Sequence, residues 1–131
     1  MHKPAISLLL VLSLFSTDRV LALDCKTPSS QTDMNMCAAS DLERETQKIN
    51  KTYNALRAKL SPKQQKDLKE VQLAWIKFKD MACKFEASGV EGGSAYSMVL
   101  SACLSAKTTQ RNKDLDFLLN CPEGDLSCPA N

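Results

Sequence analysis

Six cysteines are the residues of this 131-residue chain best suited to chemistry. They fall as near neighbours: Cys25 with Cys37, Cys83 with Cys103, and Cys121 with Cys128. All of them follow an apolar run at residues 6–15, which stands between Lys3 and the small residues Val20, Leu21 and Ala22. A positive start, a short apolar core and a small-residue end make the order of a secretory signal. Cleavage is expected after Ala22, although Asp18 and Arg19 interrupt the approach to it. In an oxidising compartment an even number of cysteines most simply forms disulfides. That reading removes thiol nucleophiles and thiolate metal ligands, and the chain has no Cys-x-x-Cys pair. No metal and no other cofactor is expected. The residues leave two connectivities open: pairing between neighbours, or a cross-helix Cys37–Cys83 bond over the turn at 60–62.

Other catalytic chemistry is poorly supplied. The single histidine, His2, lies within the expected signal, so the exported chain would have none. Ser–His, Cys–His and His–metal arrangements are thereby excluded. Asp41, Glu43 and Glu45 recur at helical spacing, which is commonplace on a solvated helix face. A glycosidase working with carboxylates alone is the weakest functional reading. No phosphate-binding loop or nucleophile elbow is present. The chain is not expected to be an enzyme.

Binding is better supplied. Ser88, Gly89, Val90, Glu91, Gly92, Gly93 and Ser94 form a turn-rich break between Glu86 and Tyr96. At minimum it connects two helices. Its glycines also permit a turn narrow enough to enter a partner's cleft, so Ser88, Gly89, Glu91, Gly92, Gly93, Ser94 and Tyr96 are the candidate partner-binding residues. Asp80 and Arg111 form a candidate structural polar pair. Arg111 follows Cys103 and Leu104 by seven or eight positions, which turns it into the bundle toward Asp80 or Glu45. Trp75, the lone tryptophan, reads as core on its apolar stripe; exposed, it would be a partner anchor.

Those residues must be positioned by what remains after residue 22, which is one small domain. Residues 1–22 carry Lys3, Arg19 and Asp18, so the seventeen basic and fifteen acidic residues of the chain become fifteen and fourteen, a net charge of +1. Both signs are interspersed, so no polybasic stretch exists for nucleic acid or anionic lipid. The apolar run at 6–15 is shorter than the ~20 residues a membrane span needs, and no later segment qualifies. Asp24 stands before Cys25 where a lipoprotein signal needs a small residue. A periplasmic or secreted protein without a membrane span is expected.

Three long helices are predicted. The first covers about 30–60, capped by Ser30, with Met34, Ala38, Leu42, Ile49, Tyr53, Leu56 and Leu60 as its apolar stripe and Glu45 interrupting it. Ser61-Pro62 then caps a second helix over about 62–87, with proline at the position where its missing N–H costs least. Leu68, Val71, Trp75, Phe78, Ala82 and Phe85 mark its predicted inner stripe. A third covers about 94–119, with Tyr96, Val99, Leu100, Cys103, Leu104, Leu115 and Leu118 inward and a polar interval at 107–113. No alternating strand is present. The expected fold class is all-α, an antiparallel three-helix bundle stapled by disulfides.

The residues Cys25, Gln31, Met34-Asn35-x-Cys37-Ala38, Leu42, Ile49-Asn50 and Tyr53 open an ordered pattern. Gln72, Ala74-Trp75, Asp80 and Cys83 continue it, and Gly92-Gly93-Ser94, Cys103-Leu104, Thr108, Arg111 and Leu115 close it. Together they resemble the LprI-like lysozyme inhibitor family across about 25–118. The resemblance implies a secreted or periplasmic helical domain with two disulfides, here residues 23–120, followed by a tail at 121–131 that adds a cysteine pair. Shorter relatives contract the segment between Cys83 and Cys103, which favours pairing between neighbours. The chain departs from the family in carrying Lys79 where arginine often precedes the aspartate, and in lacking the lipid-attachment signal of the named branch. The implied function is occlusion of a lysozyme cleft, by a loop such as 88–94. The alternative is an envelope protein-interaction or stress-response module with another envelope protein as partner and no lysozyme activity.

Overall fold

The computed structural model describes residues 23–129, and the expected signal at 1–22 lies outside them. Three helices follow in order: α1, Gln31–Ala58; α2, Pro62–Ala87; and α3, Tyr96–Leu119. A 3-10 turn, Ser88–Val90, follows α2 directly. The described residues contain no strand, so the fold is an all-α three-helix bundle.

Local chemistry sets the helix ends. The Ser30 hydroxyl accepts the Asp33 N–H at 3.0 Å and so satisfies a free donor of the first turn of α1. Ser61 and Gln64 form a reciprocal capping box at α2, with Pro62 at its start. Helix α3 begins at Tyr96, two residues later than the sequence predicts. Ser94 makes no cap there; Ala95 stands at the N-cap, with no side-chain hydrogen bond. At the other end Lys59 Nζ donates to the Leu119 carbonyl at 3.1 Å, which places a cation on the last turn of α3.

Packing is densest between α1 and α3, and α2 rests on α3 more sparsely. Ile49, Leu56, Leu60 and Leu115 are buried together, with Tyr53, Leu68, Trp75, Leu118 and Leu119 packed around them. The predicted α1 stripe is therefore largely correct.

The predicted inner stripe of α2 is not. Val71, Phe78 and Phe85 are exposed, while Cys83 and Ala87 are fully buried. The reason is rotational. Residues two apart on a helix point about 200° from one another, so a helix that turns Cys83 toward α3 must turn Phe85 away. Trp75 does pack against the core, with Lys79 Nζ lying 5.3 Å from its ring centroid.

Three disulfides join Cys25–Cys37, Cys83–Cys103 and Cys121–Cys128, with Cα separations of 5.5, 5.6 and 5.8 Å. Pairing is thus between neighbours, and Cys37–Cys83 is not formed. The second bond ties α2 to α3. The third closes the tail, whose Pro129 carbonyl accepts from Gln64 Nε2 at 2.6 Å and so folds back on the start of α2.

Candidate partner-binding site

Residues 88–95 close one end of the bundle, beside the N-terminus of α1. The chain leaves α2 through a series of short-range hydrogen bonds that require no side-chain bulk. Ser88 Oγ donates to the Phe85 carbonyl at 2.7 Å. Glu91 N–H donates to the Ser88 carbonyl, Gly93 N–H to the Val90 carbonyl and Tyr96 N–H to the Gly93 carbonyl. Gly92 has φ +77°, a left-handed conformation that side chains with a Cβ rarely adopt. At Gly93 an added Cβ would come within 3.1 Å of the Val90 carbonyl oxygen. The path of the chain therefore requires glycine at 92, and at 93 it leaves only tight room for a side chain.

Two longer-range ties hold this loop. Asn35 Nδ2 on α1 donates to the Ser94 carbonyl at 3.0 Å. The Cys83–Cys103 bond locks the flanking helices just behind it. Beside that bond Lys107 Nζ pairs with Glu86 Oε1 at 2.9 Å. Ser88, Gly89, Glu91, Gly92, Gly93 and Ser94 are nevertheless exposed, while Tyr96 is half-buried. The result is a braced loop that presents small side chains and backbone to solvent.

The start of α1 forms the adjoining wall. There the Ser29 hydroxyl, and then the Ser30 hydroxyl, hold the Asp33 carboxyl below its ordinary value. Cys37, bonded to Cys25, anchors the preceding segment to α1. Asn35 is the residue that sequence reasoning missed as a loop support. Its signal was available only as part of the Met34-Asn35-x-Cys37 pattern.

The expected Asp80–Arg111 pair is not formed. Arg111 Nε donates to Gln72 Oε1 at 3.2 Å, and Asp80 pairs with its neighbour Lys79 at 3.4 Å. Nor does Arg111 reach Glu45. Instead Glu45 is buried and accepts from Lys48 Nζ at 2.7 Å and from Thr109 Oγ1 at 3.0 Å. The Lys48 bond, followed by the Thr109 bond, holds the Glu45 carboxyl below its ordinary value. The polar interval at 107–113 accordingly contributes an internal seam through Thr108 and Thr109, Thr108 being buried with its hydroxyl donating to the Leu104 carbonyl, while Gln110 and Lys113 are exposed. Arg111 also borders a crevice of about 320 Å³ at the opposite end, walled by Leu60, Leu68, Val71, Leu118 and Pro129.

No helix among the described residues is long and apolar enough to cross a membrane. Cys121, Asp125 and Cys128 lie close enough together to resemble a ligand set, but both sulfurs are committed to a disulfide.

Residues 24–115 match the family model described as lysozyme inhibitor LprI. An uncharacterized protein of Rhizobium meliloti (strain 1021) is 32% identical over 133 residues, covering 92% of this chain and 96% of the relative. No solved structure matches the chain.

Proposed function

The chain belongs to the lysozyme inhibitor LprI family, and from that premise we propose that it acts outside the cytoplasm as a lysozyme-binding inhibitor that does no chemistry of its own. The exposed, braced 88–95 loop is the observation that supports this reading most directly. A glycoside hydrolase works between two carboxyl groups in a cleft. A loop of small residues can enter such a cleft and offer backbone and hydroxyl groups to it. A loop already held by Asn35 and by the Cys83–Cys103 bond loses little conformational freedom on binding. Ser88, Gly89, Glu91, Gly92, Gly93, Ser94 and Tyr96 are its contact residues in this proposal. The three disulfides and the family together support an extracytoplasmic location, periplasmic or secreted.

The near-neutral exported chain makes shape, more than net charge, the basis of recognition. The test is stoichiometric inhibition of several lysozymes by the oxidised protein and by two variants at matched salt. Replacing Gly92 and Gly93 together by valine forces the loop off its path and should weaken inhibition strongly while helical circular dichroism persists. Exchanging the exposed Lys63 and Lys66 at the far end should leave inhibition unchanged. Equal inhibition by the valine variant and the parent would exclude the loop. Absence of inhibition by a folded parent would transfer the assignment to an envelope-interaction module.

A further inference from the structure

Helix α2 carries an apolar stripe that nothing covers among the described residues. Val71, Phe78, Met81 and Phe85 are 54%, 63%, 62% and 81% exposed. With Ala74 they occupy positions 71, 74, 78, 81 and 85, alternating steps of three and four that form the a and d sites of a heptad seam. The side of α2 that carries Cys83 and Ala87 is already spent on the bundle. The stripe runs about 21 Å along the helix. Given what aromatic side chains typically cover, it exposes roughly 500 Å² of apolar surface. That is the size of the largest apolar patch on a typical monomer, a patch that is often functional.

We propose that this stripe is the interface of a homodimer in which α2 packs antiparallel against α2 of a second copy. The spacing carries the argument. Val71 and Phe85 each lie seven residues from Phe78, so a two-fold axis at Phe78 brings these three positions into register and sets Ala74 within one residue of level with Met81 of the second copy. Phe78 then meets Phe78, and the small Val71 lies opposite the large Phe85 of the second copy. Such self-complementarity is what an isologous interface requires. The flanking charges fit the same register. Glu70 and Lys84 each stand one residue before these outer positions on one flank, so Glu70 comes alongside Lys84 of the second copy, twice. Lys77 meets its own copy near the axis and is the single like-charge approach. A standard interface covers about 800 Å² per partner. The stripe supplies the apolar centre of that area, and the stems of Glu70, Lys77 and Lys84 with the rim of Ala82 and Trp75 supply the remainder. In this arrangement the two 88–95 loops sit at opposite ends, about 30 Å apart along the paired helices, and both stay free.

Sedimentation velocity on the oxidised protein, loaded from about 10 μM to 1 mM, tests the proposal, an interval that spans the weaker end of specific association. The parent should move from monomer to dimer across that interval. Phe78→Glu should remain monomeric throughout, and Phe117→Glu, an exposed phenylalanine on α3 away from the stripe, should dimerise as the parent does. Phe78→Ser provides the same test should the charged variant lose its helical circular dichroism. A parent that stays monomeric to the top of the range overturns the proposal, and so does a folded Phe78 variant that dimerises as tightly as the parent. Flotation with anionic vesicles, by a parent that remains monomeric, would instead assign the stripe to a lipid surface and reject the dimer.

Discussion

Thr109 on α3 donates its hydroxyl proton to Glu45 on α1 across 3.0 Å, closing the seam between the two most tightly packed helices. Glu45 is acidic and interrupts an apolar stripe, yet it is buried. Lys48, Thr109 and the more distant Arg44 Nε at 3.8 Å account for its retained charge.

A pH dependence follows from that site. The folded-state pKa of Glu45 lies below its ordinary value of 4.5. The ionised carboxylate therefore favours the folded state above the ordinary value, and this contribution disappears as pH falls through the lowered one. Glu45→Gln keeps an acceptor for Thr109 and removes the charge. Its melting temperature should lie below the parent's at pH 7, and the gap should close between about pH 5 and pH 2. Thermal melts across that range check it, and a gap that widens on acidification contradicts the assignment.

The Cys83–Cys103 bond closes a loop with a sequence separation of 20. In the chain-entropy model a loop of that size contributes roughly 3 kcal/mol. The double change Cys83→Ala with Cys103→Ala should lower the melting temperature by on the order of 15 °C. It should also loosen the 88–95 loop, which faster amide exchange at Gly92 and Gly93 would register.

Leu115 and Phe117 lie two apart on α3 and report opposite environments: Leu115 is fully buried, and Phe117 is 54% exposed. Leu115→Ala should cost about 3 kcal/mol, since it empties the centre of the core. Phe117→Ala should stay within about 0.5 kcal/mol. Urea denaturation separates the two, and comparable costs would contradict the packing described.

Asn35→Ala removes the one side-chain tie between α1 and the Ser94 carbonyl. A single hydrogen bond of this kind contributes about 1 kcal/mol net, so the melting temperature should fall by only a few degrees. Lysozyme inhibition should fall by more, because the loop loses its brace. Unchanged inhibition would mean that the Cys83–Cys103 bond braces the loop unaided.

How legible these features were depends on the range over which each is decided. The Ser30 cap and the Ser61-Pro62 start of α2 were readable because capping joins residues three positions apart. The 88–94 break was readable because it clusters glycine. The partners of Arg111 and Glu45 were not readable. The Gln72 partner of Arg111 and the Thr109 partner of Glu45 are chosen by which residue comes level across a helix interface, and a shift of about two turns along α2 would exchange Gln72 for Asp80. Asp80 was a reasonable partner for Arg111 by charge, yet Gln72 is the residue that stands within reach.

By itself the sequence determined the three helices and their punctuation, because these are set by contacts local in the chain. It left the cysteine pairing open between neighbours and a Cys37–Cys83 bond, and the fold decided it, since Cys83 and Cys103 meet across two helices. It also determined the family, through residues spread in order along nearly the whole domain. What only the tertiary structure decided is the rotation of α2. The helix carries two apolar stripes, one through Leu68 and Trp75 and one through Val71, Phe78 and Phe85, and periodicity alone favours the one with more aromatic carbon. The Cys83–Cys103 bond settles the choice the other way. It fixes Cys83 toward α3, so the helical repeat of 100° per residue points Phe85 into solvent and leaves the larger stripe on the outside.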